Sequence, residues 1–64
     1  MRKILLLGSN GRLGSVIAKY LSKKYNLFCM DVGENMTNVC EYYQFKNYDD
    51  LKSLYSQNDF YAII

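Results

Sequence analysis

The 64 residues include no proline, no tryptophan and no histidine, and only two cysteines. Without histidine, Cys29 and Cys40 cannot complete a four-ligand zinc site, and one cysteine pair falls short of the bridges that hold a disulfide mini-protein together. Cys29, inside an apolar run, is therefore expected as a small buried hydrophobe, with no cation nearby to favour its thiolate. No metal site is expected. Long apolar runs are missing too: the longest aliphatic stretch covers residues 4–7, against the ~20 residues that span a bilayer, and no longer apolar signal region precedes it. The expectation is a soluble, cytoplasmic chain with no membrane partner. A strong charge of either sign is also absent. Eight Lys and Arg against six Asp and Glu leave a formal +2, which gives no compositional case for a nucleic-acid partner. Alanine is scarce while tyrosine and asparagine are abundant, a skew that an A+T-rich coding sequence produces and that says nothing about function. A chain this short buries only ~60% of its unfolded surface, so one small domain, or part of a larger one, is the ceiling.

What remains is an alternation of strands and helices. The run KILLL at Lys3–Leu7 has no polar alternation and suits a strand buried on both faces of a parallel sheet. Beyond it, Leu13, Val16, Ile17, Tyr20 and Leu21 recur at helical spacing and predict an apolar face on a first helix. Lys23 and Lys24 are expected in its last turn, and Asn26 is a candidate left-handed stop. Residues 27–30 form a second apolar run ending at Asp31, and 32–38 read as a connection. A third strand is expected over 39–45, followed by a helix capped by Asn47, carrying Asp49 and Asp50 in its first turn and Leu51, Leu54 and Tyr55 on its inner stripe. Residues 60–64 are again strand-like. The pattern predicts the α/β class, with a parallel sheet of about four strands and two main helices. The second connection is too short for a helical crossover, which leaves a helix-free return or a local hairpin.

Three of the four glycines lie in Gly8-Ser9-Asn10-Gly11-Arg12-Leu13-Gly14, between the first strand and the first helix. Glycine serves three purposes at such spacing. The first turns the chain sharply, the second lets a pyrophosphate approach the backbone, and the third lets helix and strand pack closely. Free amides at the helix N-terminus, Arg12 and Leu13 among them, would hold phosphates. The Arg12 side chain is either a solvated charge or a phosphate contact. Asp31, seventeen positions beyond Gly14, stands where a ribose diol would be accepted and where a 2′-phosphate would be repelled. The plainer alternative is a tight turn next to an Asp-capped strand end.

The stretch ILLLGSNGRLGSVIAKYLSKKYNLFCMD resembles the start of the extended short-chain dehydrogenase/reductase superfamily, which includes the NAD-dependent epimerase/dehydratases and the dTDP-4-dehydrorhamnose reductase-like enzymes. The later stretch YQFKNYDDLKSLYSQNDFYAII is similar to that superfamily's third strand, next helix and fourth strand. The resemblance covers nearly the whole chain but only the N-terminal, nucleotide-holding part of such an enzyme. It implies a partial Rossmann fold, with residues 1–64 as the first part of a dinucleotide-binding domain. It also implies NAD as the cofactor ahead of NADP, cofactor contacts at Gly8, Asn10, Gly11, Arg12, Leu13, Gly14 and Asp31, and a nucleotide-sugar partner for the intact enzyme. Gln44 stands where many members carry an adenine-contacting Asp, with Phe45 beside it. A primary amide can also pair with adenine. The short second connection resembles the reductase-like branch.

The superfamily's catalytic Tyr-x-x-x-Lys spacing occurs three times, at Tyr20 with Lys24, Tyr42 with Lys46 and Tyr48 with Lys52. In the family that pair follows a fifth strand, so none of the three is expected to be catalytic. Tyr20 is assigned instead to the helix core stripe. No catalytic residue is assigned, and the chain by itself is expected to catalyse nothing. A non-catalytic nucleotide sensor and a truncated product without independent function stay open. The last strand ends on Ile63-Ile64 with no turn or cap, so the length is expected to be a cut through a longer sheet.

Overall fold

The computed structural model describes residues 1–36 and 38–64. Thr37, which the sequence pattern assigns to the connection after the second strand, lies outside the described residues. The elements run β1 (Lys3–Leu7), α1 (Arg12–Leu21), β2 (Asn26–Asp31), β3 (Glu41–Gln44), α2 (Tyr48–Gln57) and β4 (Ala62–Ile63). They form an α/β unit whose four strands make one parallel sheet in the order β3-β2-β1-β4. The parallel pairing of β2 with β3, Phe28 opposite Glu41 and Asp31 opposite Gln44, decides for the helix-free return and against a hairpin.

Alternation along β1 divides the core. Ile4 and Leu6 pack with Leu27, Cys29, Ala18 and Leu21 on the α1 face, whereas Leu5 packs with Phe28, Met30 and Leu54 on the α2 face. Because the sheet is covered on both sides, its two central strands carry consecutive buried apolar residues, Ile4 to Leu6 and Leu27 to Met30. Phe60 meets Phe28 edge-on at 5.3 Å between ring centroids and closes the α2 side.

Four local expectations are corrected. The buried face of α1 comprises Ala18 and Leu21, with Gly14 and Ile17 half-buried; Leu13 is 73% exposed, Val16 63% and Tyr20 58%. Both sets have helical spacing, offset by one residue. The rotation is decided by Gly14, where a Cβ would overlap the Gly8 carbonyl oxygen, so the small side of the helix must face the strand. Asn26 is not a left-handed stop: it opens β2, and its N–H donates to the Arg2 carbonyl at 2.8 Å. Tyr55 is exposed, leaving Leu54 and the half-buried Leu51 as the inner stripe of α2. Finally, Cys29 is joined to Cys40 in a disulfide, with Cα atoms 6.2 Å apart. Cysteine spacing alone does not show this, because the contact depends on the register that starts β3 opposite Phe28.

Candidate functional site

Gly8 leaves β1 with φ of +85°, a left-handed conformation that a side chain would strain, and its N–H donates to the Met30 carbonyl at 2.8 Å. Gly11 is different. It is the N-cap of α1 in ordinary extended backbone (φ −71°, ψ 168°), and a Cβ built on it comes no closer than 3.6 Å to the Gly8 carbonyl oxygen. Neither strain nor packing calls for glycine there.

The two helix N-termini contrast. Asn47 caps α2, its side chain accepting from the amides of Asp49 and Asp50, while the Asp50 carboxylate accepts from the Asn47 and Lys46 amides. At α1 no side chain caps the first turn and no acidic residue lies in it. The positive end of α1 thus has no side-chain cap, and Arg12 and Leu13, in its first turn, are exposed residues. Within the loop, Ser9 is fully buried, and its hydroxyl is the buried side-chain atom left without a hydrogen-bond partner among the described residues.

Asp31, half-buried at the end of β2, faces this loop. Its Oδ2 accepts the Asn10 backbone N–H at 2.8 Å and its Oδ1 accepts the Val32 N–H at 2.7 Å. A carboxylate oxygen has two lone pairs, so each retains acceptor capacity for a ligand hydroxyl. The Asn10 carboxamide donates to the Val32 and Glu34 carbonyls, both at 2.9 Å, and its oxygen accepts the Met36 N–H at 3.0 Å. Beside it, the Tyr42 hydroxyl lies 2.8 Å from the Gly33 carbonyl, 2.9 Å from that of Asp31 and 3.2 Å from Asn10 Nδ2.

Gly8, Asp31 and Phe45 line one cavity of about 280 Å³ at the carboxyl ends of β1 and β2, together with Leu7, Met30 and Val32. Its volume lies near the lower bound for small-molecule sites and suits one moiety of a ligand. A larger cavity of about 360 Å³ adjoins it between Leu7, Tyr55 and Ile63, but the glycine loop and Asp31 do not reach it, so the smaller one is the candidate site. Gln44 lies apart from both, lining a third cavity of about 240 Å³ against α2 with Tyr43 and Asp50. Phe45 is held by its N–H on the Asp31 carbonyl and by edge contact with Tyr48.

Sequence reasoning missed Tyr42, having weighed it only as a member of a Tyr-x-x-x-Lys spacing. Strand alternation carries the signal: Tyr43 stacks on Phe28 on the α2 face, so Tyr42 turns to the α1 face where Asn10 stands. Tyr20 and Lys24 do meet. The lysine donates to the phenol at 2.8 Å and, by that bond and then by its charge, lowers the tyrosine pKa. The pair is exposed toward the far end of α1, remote from the glycine loop.

No protein-family model, curated protein or solved structure matches this chain. Chemically, the arrangement offers helix amides without a side-chain cap for an anion and a carboxylate for a diol, near an apolar recess. Among the described residues no group of His, Cys, Asp and Glu is placed to hold a metal ion, and no helix is long and apolar enough to cross a membrane.

Proposed function

We propose that this chain binds the ADP portion of a nicotinamide dinucleotide, NAD in preference to NADP, on a partial Rossmann fold. One observation carries the reading: the uncapped start of α1 and the Asp31 carboxylate converge at the carboxyl ends of β1 and β2, joined by the Asn10–Asp31 hydrogen bond. Crevices at strand carboxyl ends are where open α/β sheets bind ligands. The site fits the group in three further respects. Gly11 lacks a side chain that the fold itself would tolerate, which leaves room for a pyrophosphate; Phe45 offers an apolar wall for adenine; and no cation stands at 32–34 to receive a 2′-phosphate.

In this reading the α1 amides hold the pyrophosphate and Asp31 accepts the adenosine ribose diol. Bound so, the dinucleotide would supply reversible hydride transfer in an intact oxidoreductase of the epimerase/dehydratase kind, with a nucleotide-sugar as its substrate class. The residues present here bind and orient. Titrating the isotopically labelled chain with NAD and NADP tests the proposal by nuclear magnetic resonance. NAD should shift the amides of residues 8–14 and 31–32, NADP should bind more weakly, and Asp31→Ala should narrow that difference. Unmoved amides at millimolar NAD would refute the proposal.

A further inference from the structure

The glycine loop and the connection after β2 belong to different stretches of chain, yet one side chain fastens them. The Asn10 carboxamide makes three hydrogen bonds to backbone groups of 32–36, and the Tyr42 hydroxyl braces the Asp31 and Gly33 carbonyls from behind. That amount of side-chain bonding is unusual for an exposed loop, where water satisfies the backbone. The Asn10 N–H on the Asp31 carboxylate reaches only the end of β2, ahead of the residues that the carboxamide holds.

We propose that Asn10, braced by Tyr42, is a positioning residue that sets the distance between the phosphate-holding and ribose-holding halves of the site. The proposal rests on the dinucleotide reading above. Its physical content is preorganisation: a ligand that spans both halves gains from their fixed spacing, whereas one that touches a single half does not. Removing the carboxamide therefore affects ligands selectively by their reach. ADP spans the two halves; adenosine engages only the Asp31 half and inorganic pyrophosphate only the α1 half.

The test titrates the full chain and its Asn10→Ala variant with ADP, adenosine and pyrophosphate, following amide shifts, with circular dichroism to establish that the variant is folded. The expected result is an ADP dissociation constant raised about tenfold, with those of adenosine and pyrophosphate unchanged within about twofold. In the ligand-free variant the Met36 amide should exchange faster with solvent, having lost the Asn10 oxygen. Should Asn10→Ala not fold, Tyr42→Phe, which removes one hydroxyl, carries the same test and should show the same selective loss. Equal weakening of all three ligands, or of none, overturns the positioning role while leaving the dinucleotide reading intact. Failure of the unaltered chain to bind ADP overturns the dinucleotide reading and the positioning role with it.

Discussion

The backbone N–H of Asn10 donates to the Asp31 carboxylate at 2.8 Å, tying the turn after β1 to the end of β2 across twenty-one positions of chain. Everything else at the candidate site is arranged around that bond. It orients one oxygen of Asp31 beside the loop that leads into α1, and of that loop Gly8 lines the same cavity as Asp31.

Gly14 and Gly11 should respond oppositely to alanine. At Gly14 the new methyl group would collide with the Gly8 carbonyl, part of a backbone that cannot yield cheaply, so Gly14→Ala should unfold the chain by circular dichroism. A domain of this size has only about 3–5 kcal/mol to lose. At Gly11 the methyl group meets ordinary contact, and Gly11→Ala should leave the spectrum unchanged while abolishing nucleotide binding. A folded Gly14→Ala chain would contradict the assigned helix packing.

The capping box of α2 is the most local feature of the fold. Asn47→Ala removes an acceptor from two amides and should lower stability by about 1 kcal/mol in urea unfolding. Asp50→Ala should act in the same direction, since its carboxylate accepts from the Lys46 and Asn47 amides.

Closing the loop between Cys29 and Cys40 should contribute roughly 3 kcal/mol through the entropy of the unfolded chain. A dithiol reductant should therefore shift the urea midpoint down by a large share of the total. Thiol alkylation followed by mass measurement checks the premise: labelling of both cysteines before reduction would contradict the pairing.

Two tyrosines should titrate on opposite sides of the ordinary value of 10.0. Tyr20 lies below it because Lys24 donates to its oxygen and adds charge, and the same contact raises the Lys24 pKa. The contribution of Tyr20 is lost as pH falls through its lowered value, and that of Lys24 as pH rises through its raised one, so the pair is strongest between the two. Tyr43 donates to the Glu41 carboxylate, and this bond, with some burial, raises its pKa. Its contribution is present below the ordinary value and vanishes as pH climbs through the raised one. Ultraviolet difference titration should resolve the two, with Lys24→Met returning Tyr20 and Glu41→Gln returning Tyr43 toward the ordinary value.

Much of this was readable along the chain because the determinants are local. The KILLL run marked β1 at its observed bounds, Asn47 with Asp49 and Asp50 announced the start of α2, and the glycine spacing marked the turn that Gly8 makes at positive φ. The apolar stripe of α1 misled by one residue, since hydrophobic periodicity gives weight to Leu13 and Tyr20 and none to Gly14 and Ala18. Close approach of helix to strand is set by the small residues.

By itself, then, the sequence determined the element order, the α/β class and the candidate loop with its carboxylate, because turn chemistry, capping and burial periodicity act over a few residues. Only the tertiary structure decided which face of α1 meets the sheet, that β3 returns parallel, that Cys29 meets Cys40, and that Asn10 and Tyr42 fasten the loop to the connection. Those outcomes depend on strand register and steric fit between segments ten to thirty positions apart, and no local pattern encodes a register.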